Sequence, residues 1–342
     1  LSSIAELTVG FVGTMAKHYE DEGIPFLRSL NIKPFKIISD DMKYVSAEFS
    51  NSLSKSILHK GDVVIVRTGI PGTCCVVPAE YDGCNCSDVV IVHPNTELVN
   101  PHYLAAYINF WGQRQIQNNK VGAIQQNFNV HSAEEMLIFL PDITEQEKIA
   151  KTIVALNGKI ENNFSVCVEL EAMAKTLYDY WFTQFDFPNA VGKPYRSSGG
   201  EMEWNEQLKR EIPKGWDIGN LYAIADPING LACQKHRPKE NEKALPVVKI
   251  KEMHEGITEE TELVSVNIPE KHKIFDGDIL FSWSATLEVM YWFGGNAGLN
   301  QHIFKVLPIN GFAKEYVYHQ FSAYVINFVK MAEARKTTMG HI

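Results

Sequence analysis

The sequence predicts an α+β (mixed α/β) protein in which two similar domains, with twisted sheets and short helices, flank one long coiled-coil-type helix. The first supporting observation is a pattern of apolar residues near the middle of the chain, repeated over about five heptads. The second is an internal repeat, since short segments before this stretch recur in the same order after it. With 342 residues the chain is long enough for two or three domains that each bury a core.

The long helix is predicted from about Glu145 to Phe187. Thr144 as N-cap and Glu147 as its capping-box partner fit the start, and Pro188 fits the end. About 40 residues, each rising ~1.5 Å, would give a rod of roughly 60 Å. Ordinary amphipathic helices usually stop by about 20 residues, so the length favours a spacer over the alternative of a core helix.

The apolar heptad positions of this helix form a stripe that we call the helix seam. Its predicted members are Ile149, Ile153, Leu156, Ile160, Asn163, Leu170, Leu177 and Trp181. A single helix leaves such a stripe in water, so the pattern predicts a partner helix or a partly exposed seam. Asn163 is the polar member and is a candidate for setting the register of the pairing.

The domains are predicted at residues 1–143 and 213–342, with the helix at 144–188 and an ordered connector at 189–212. Three pairs of segments carry the repeat: Ile4-Ala5-Glu6 with Ile224-Ala225-Asp226, Gly61–Ile65 with Gly277–Phe281, and Tyr103–Tyr107 with Tyr316–Gln320. A fourth pair joins Ile124–Phe128 to Thr338–Ile342. The chain ends where the second copy should enter a long helix of its own, so we expect this second long helix to be absent from it.

Local patterns predict several elements of the first domain. Strands are expected after the Gly61-Asp62 turn and at Val89–Val92, because both runs are rich in β-branched residues. A helix is expected to begin at Pro101 and to end near residues 120–122. Met136–Leu140 is expected to form a short strand before Pro141.

Composition limits the class of function. The net charge is −9 and the pI is about 5.7, which argues against a nucleic-acid binder that works alone, although a local basic face could still bind. The sequence lacks a signal peptide and a membrane-spanning run, so no membrane partner is expected and the predicted location is cytoplasmic. The six cysteines lack zinc-ribbon spacing and are expected to be free thiols, with no metal bound.

Catalytic motifs are also missing from the sequence. No phosphate-binding Gly-x-x-x-x-Gly-Lys-Ser/Thr loop is present, and Asp62, Asp276 and Asp278 read as turn residues rather than nuclease ligands. Asn100-Pro101-His102-Tyr103 is close to the loop with which amino-methyltransferases hold an amine, but its third residue differs and no glycine-rich turn precedes it. The alternative, a helix that starts at proline, is favoured, and no catalytic residue is predicted.

Basic and amide side chains at matching places in the two halves are the remaining candidates for function. Arg and Lys suit phosphates and guanine edges, and Asn and Gln suit adenine edges. The alternative for each is an ordinary solvated surface residue. The candidate DNA-binding residues are Lys36, Arg67, Thr68, Gln125, Gln126, Asn127, Lys235, His236, Arg237, Lys239, Lys249, Lys251, Gln301, Lys336, Thr337 and Thr338.

Taken in order, these motifs resemble the specificity subunit of type I restriction–modification systems over nearly the whole chain. The helix start Glu145–Ala150, the helix end Leu177–Pro188 and the link Ile212–Trp216 carry the strongest similarity. Lys60–Ile65 and Phe275–Leu280 resemble the Gly-Asp strand of each recognition domain in that family.

The resemblance implies two target-recognition domains, each of which reads one half of a split double-stranded DNA sequence, mainly through the major groove. The conserved helix would set the unread spacer and dock the modification subunits. Those partners methylate adenine N6, use S-adenosylmethionine and flip the base, while restriction subunits add ATP- and Mg-dependent translocation and cleavage. The chain itself would hold no cofactor and no catalytic site.

Because we expect the second conserved helix to be absent, a second copy of the chain is a candidate to cover the helix seam. Two alternatives remain at this level. The first is an interaction scaffold that docks modification subunits without specific DNA binding, and the second is a self-contained methyltransferase, which would have to bind S-adenosylmethionine itself.

Overall fold

A computed structural model of the chain describes residues 1–118, 128–284 and 286–334. The chain forms two compact units, Leu1–Cys167 and Val168–Ile342, so the boundary falls within the long helix. Each unit has its own buried cores.

The first unit is built from small sheets and short helices. Its strands are β1 (Ala5–Val9), β2 (Ile24–Leu27), β3 (Ile32–Lys33), β4 (Lys36–Ile37), β5 (Lys43–Val45), β6 (Val63–Val66), β7 (Cys74–Val76), β8 (Asn85–Cys86) and β9 (Val89–Pro94). Its helices are α1 (Ala47–Ser52), α2 (Pro101–Tyr107), α3 (Gln113–Asn118), α4 (Val130–Glu134) and the first part of α5 (Ile143–Tyr178). Strands pair in the orders β1-β9-β6-β7, β5-β2-β8 and β3-β4.

The second unit contains the end of α5 and the following elements. Its strands are β10 (Met202–Asn205), β11 (Arg210–Pro213), β12 (Ala225–Asn229), β13 (Ala244–Val248), β14 (Leu263–Ser265), β15 (Lys273–Ile274), β16 (Ile279–Ser282), β17 (Glu288–Tyr291), β18 (Ala297–Leu299) and β19 (Ile303–Pro308). Its helices are α6 (Leu221–Ile224), α7 (Ile250–Glu255) and α8 (Lys314–Ala334). Strands pair in the orders β12-β19-β16-β17, β14-β13-β18-β15 and β10-β11.

The two units repeat the same sheet design, as the sequence repeat predicts. The sheet β1-β9-β6-β7 corresponds strand for strand to β12-β19-β16-β17. The antiparallel registers also match, since Ala5 lies opposite Pro94 in one copy and Ala225 opposite Pro308 in the other. A second sheet in each unit contains one parallel pair, β2 with β8 and β13 with β18.

The long helix is present but its ends differ from the prediction. Asp142 is the N-terminal capping residue in place of Thr144, because the Asp142 carboxylate accepts a hydrogen bond from the Glu145 amide at 3.0 Å. The α-helix ends at Tyr178 and continues as a π-helical turn, Asp179–Thr183. Phe185 then adopts a φ of 66°, so the helix stops before Phe187 and Pro188 does not end it.

One predicted strand is wrong. Met136–Leu140 pairs with no strand among the described residues, because its backbone groups form hydrogen bonds with side chains instead. The Gln115 amide bonds both the amide and the carbonyl of Leu137, and the Tyr103 hydroxyl donates to the Phe139 carbonyl. The predicted end of the helix that starts at Pro101, near residues 120–122, lies outside the described residues.

Turn and cap chemistry explains the residues that sequence motifs left ambiguous. The Asn100 side chain accepts hydrogen bonds from the amides of His102 and Tyr103, so this segment caps α2. Asp62 accepts from the His59 amide at 2.7 Å, and Asp278 accepts from the Phe275 amide at 2.9 Å. Both aspartates therefore close the turn before the corresponding strands, β6 and β16.

Candidate nucleic-acid interface

A cavity of about 450 Å³ in the second unit brings together several sequence-predicted residues; we call it the basic cavity. It is lined by Gln234, Arg237, Lys249, Ile250, Lys251, Glu262, Asn300, Gln301 and His302. Arg237, Lys249, Lys251 and Gln301 are among the predicted DNA-binding candidates. They come from chain segments well separated in sequence, so only the fold makes them neighbours.

Strand ends hold the walls of the basic cavity in place. Lys249 directly follows β13, and its amide donates to the Glu252 carboxylate at 3.1 Å, which caps α7. Asn300 directly follows the neighbouring strand β18, and its amide donates to the Val248 carbonyl at 3.1 Å. Because β13 and β18 are parallel, the two segments leave the same edge of the sheet and face the same solvent region.

Glu262 is the acidic group of the basic cavity, and its partner is Lys249. The ammonium of Lys249 lies 2.7 Å from Glu262 Oε1, and this hydrogen bond, aided by the nearby charge of Arg237, lowers the pKa of Glu262. Glu262 is therefore ionised at neutral pH and accepts hydrogen bonds only. The cavity thus offers both cationic donors and one anionic acceptor.

The other cations of the basic cavity are less constrained. Among the residues that the structure describes, Arg237 makes no side-chain hydrogen bond, and its guanidinium fork is exposed. Lys251 lies 3.8 Å from Glu255 across one helical turn, a solvent-exposed pair worth little energy. Gln301 and His302 contact each other through their side-chain nitrogens at 3.3 Å.

The remaining candidates of the second unit do not line this cavity. Lys235, His236 and Lys239 are exposed in the segment around Arg237. That segment is anchored because the His236 carbonyl accepts from the Ser265 amide and the Lys239 amide donates to Glu242. Lys336, Thr337 and Thr338 lie outside the described residues.

The candidates of the first unit are dispersed. Lys36 forms a salt bridge of 2.7 Å with Glu161 on α5, so its ammonium is already partnered. Arg67 follows β6 and donates to the Phe128 carbonyl at 3.3 Å, and Thr68 lies half-buried beside it. Gln125, Gln126 and Asn127 lie outside the described residues.

The helix seam is largely exposed in the single chain. Exposed fractions are 56% for Leu156, 62% for Ile160, 57% for Leu170 and 49% for Leu177. Ile149, Ile153 and Trp181 at its two ends are half-buried, and Asn163 is exposed. Such a run of exposed large apolar side chains is typical of a docking surface.

Sequence reasoning missed Glu262 as a member of the site. It lies in an acidic run with Glu259 and Glu260, which gave no signal that one carboxylate faces the cations. Only the antiparallel pairing of β13 with β14 places it there, since the Glu262 carbonyl accepts from the Val247 amide.

No protein-family model matches the chain. The chain is 32% identical over 125 residues to the MjaIX type I restriction enzyme specificity subunit of Methanocaldococcus jannaschii, a match that covers 36% of this chain and 27% of that protein. It is 22% identical over 340 residues to the HindI type I specificity subunit of Haemophilus influenzae, covering 81% of this chain and 73% of the relative.

The chain is similar to type I restriction enzyme specificity subunits. A crystal structure of a type I S subunit from M. genitalium has the same fold, with a TM-score of 0.53 at 15% identity, and the match covers 100% of this chain and 82% of that one. The specificity-subunit resemblance inferred from the motifs and the predicted α+β fold are thereby confirmed. Within the described residues of this chain, no helix is both long and apolar enough to cross a membrane.

Proposed function

We propose that this chain is the DNA sequence-recognition subunit of a type I restriction–modification enzyme and has no catalytic site of its own. Each unit reads one half of a bipartite double-stranded target. The observation that carries the proposal is the duplicated unit, which repeats one strand order and in its second copy gathers Arg, Lys and Gln side chains into one cavity. Such donors suit base edges and phosphates.

The partners follow from the exposed helix seam and from the relatives. The seam docks modification subunits, which carry S-adenosylmethionine and methylate adenine, and restriction subunits contribute the ATP- and Mg-dependent steps. A second copy of the chain is a further candidate to cover the seam. We assign the complex to the cytoplasm, where its DNA substrate lies.

The charge distribution favours DNA binding by the chain together with its modification subunits over DNA binding by the chain alone. The net charge of −9 opposes association with DNA, whereas the basic cavity concentrates cations at one edge of the second unit. Modification subunits that contribute phosphate contacts would overcome the overall repulsion. Affinity should then depend steeply on salt, because each phosphate contact releases counterions.

A gel-shift experiment tests the function. The full chain is titrated onto a library of bipartite duplexes with and without modification subunits, at two salt concentrations. We expect weak binding by the chain alone and tight, sequence-selective binding by the complex. A complex that binds or methylates DNA without sequence preference would refute the recognition role, and complex formation without selective DNA binding would favour the scaffold alternative.

A matched pair of helix variants tests the docking role. Leu170→Asp places a charge in the exposed seam, whereas Ser165→Asp places the same charge on an exposed helix position outside it. Leu170→Asp should weaken assembly with modification subunits at least about tenfold, since it buries a charge in an apolar interface. Ser165→Asp should leave assembly unchanged, and equal effects of the two variants would contradict the assignment of the seam.

A further inference from the structure

The basic cavity has an acceptor as well as donors, and this combination restricts what it can read. An ionised carboxylate, Glu262, lies in the same wall as Lys249 at 2.7 Å. A phosphate placed inside this cavity would meet that negative charge at short range, which disfavours it. A base edge that offers both acceptors and a donor meets no such repulsion. The cavity is therefore better suited to a base pair than to the backbone.

Arg237 is the side chain best able to provide a pair of donors. Lys249 is committed to Glu262, and Lys251 is a single point charge beside Glu255. Among the described residues Arg237 has no hydrogen-bonded partner for its side chain, so its fork can engage two neighbouring acceptors without first breaking a bond.

The major-groove edges of the base pairs decide which pair fits. Guanine offers two adjacent acceptors, N7 and O6, and its cytosine partner offers the N4 amino group as a donor. Adenine offers only one acceptor, N7, beside the donor N6 amino group, so an arginine guanidinium cannot donate two hydrogen bonds to it. An arginine fork next to a carboxylate therefore matches a G·C pair.

On the basis of the proposed function, we propose that the basic cavity reads a G·C base pair in one half-site, with Arg237 donating to guanine N7 and O6 and Glu262 accepting from cytosine N4. Lys249 holds the carboxylate in position. Lys251 and the exposed Lys235 and Lys239 remain for the flanking phosphates.

The equivalent place in the first unit lacks this pair of groups. The Arg28 amide donates to Asn31 as the Lys249 amide does to Glu252, so Arg28 and Lys249 are equivalent. Strand pairing then places Lys43 where the second unit has Glu262. The guanidinium of Arg28 is also bound to Asp41 at 2.9 Å. The G·C preference should accordingly be confined to one half-site.

The test uses the full chain assembled with modification subunits and a duplex library randomised in both half-sites. The wild-type complex should select G·C at one position. Arg237→Ala should reduce discrimination at that position alone by about tenfold or more. Arg237→Lys should retain non-specific affinity yet lose the preference, because an ammonium lacks the fork. Lys271→Ala, an exposed cation outside the cavity, serves as the control and should change neither.

Modified bases make the assignment atom-specific. Replacing the selected guanine by 7-deazaguanine removes one acceptor, so it should weaken wild-type binding about tenfold and Arg237→Ala binding less than about twofold. Glu262→Gln should relax the requirement for cytosine while strengthening non-specific binding, because a negative charge is lost.

The outcomes separate this inference from the proposed function. If the complex shows clear sequence preferences that Arg237→Ala leaves intact, or weakens equally at every base pair, the G·C assignment is overturned and DNA recognition stands. If the wild-type complex shows no preference at any position, the recognition function itself fails.

Discussion

Lys43 in the first unit and Glu262 in the second occupy equivalent strand positions, yet they carry opposite charges. Near Lys43 in the first unit, the guanidinium of Arg28 forms an ion pair with Asp41. In the second unit, Arg237 is exposed and lines the same cavity as Lys249. The Ser87 amide donates to the Leu27 carbonyl in the first unit as the Asn300 amide donates to the Val248 carbonyl in the second, so the side chains at this edge differ over a shared backbone pairing. The difference shows that one sheet design carries two different sets of side chains at the same edge, which the proposed function would use to read two half-sites.

The turns before β6 and β16 vary in a more conservative way. Asp62 pairs with His93 at 2.7 Å in the first unit, and Asp278 pairs with Lys305 at 2.8 Å in the second. Both aspartates cap the same turn and both need a cationic or donor partner because they are largely buried. The partner of the aspartate is a histidine in the first unit and a lysine in the second.

The largest expected effect comes from Lys305. Lys305→Ala leaves the Asp278 carboxylate largely buried without its cation and should reduce the free energy of unfolding of the second unit by roughly 3 kcal/mol. His93→Ala should destabilise the first unit less, because His93 is more exposed than Lys305, with side-chain exposures of 30% and 9%. Hydrogen exchange of core amides in the full chain measures each unit separately.

The control for this prediction is a double variant. Lys305→Met combined with Asp278→Asn removes both charges and should recover part of the stability, since no unpaired ion remains. Equal losses for Lys305→Ala and His93→Ala would show that the two turns do not differ as argued.

Exchanging the predicted second domain tests whether each copy reads its own half-site. Replacing residues 213–342 with the corresponding segment of another specificity subunit should change one half-site and leave the other as it was. Affinity for the original target should fall at least about a hundredfold, because several base pairs become mismatched. Mapping methylated adenines in a host that expresses the complex provides the readout. A change in both half-sites would show that the two domains do not read separate half-sites.

The His93–Asp62 pair should make the stability of the first unit depend on pH. The hydrogen bond to Asp62 raises the pKa of His93, so the protonated form favours the folded state. This contribution, about 1 kcal/mol, should be complete below the unfolded pKa near 6.5 and should be lost as pH rises through the raised folded value. Urea denaturation of the wild type and of His93→Gln from pH 5.5 to 9 checks it; His93→Gln should lack the loss.

The smallest effect concerns phosphate contacts at two equivalent positions, here called tips, just after β2 and β13. Counting along the chain from Arg28 and Lys249 makes Leu30 the counterpart of Lys251, so one tip is apolar where the other is basic. Lys251→Leu should reduce the slope of log K against log salt by about one, and Leu30→Lys should increase it by a similar amount. Binding measured from 50 to 200 mM salt gives the slopes (about a fourfold range of ionic strength). Unchanged slopes would show that neither position contacts a DNA phosphate.

Several features of the fold were predictable from local patterns. The β-branched runs after Gly61-Asp62 and Gly277-Asp278 form β6 and β16, and Pro101 begins α2 as expected. The strand predicted at Met136–Leu140 failed because the side chains of Gln115 and Tyr103 bond its backbone instead. Such long-range side-chain contacts leave no periodic signal in the sequence.

The candidate site was only partly predictable. Residue type selected Arg237, Lys249, Lys251 and Gln301 among its candidates, and the structure brings these four together in one cavity. The same rule selected Lys36, whose ammonium is bound to Glu161 in the structure. Residue type indicates which groups a side chain can bind, but not whether a neighbour in the fold already occupies it.

The sequence by itself determined the duplicated α+β architecture, the long helix and its apolar seam, because these depend on periodicity and on turn residues close together in the chain. Tertiary structure alone decided that Glu262 joins the cations of the basic cavity and that Lys43 replaces it in the other copy. The physical reason is strand pairing: the antiparallel neighbour of β13 lies about 20 positions away along the chain and the parallel neighbour about 50, and such register is set by packing of the whole sheet.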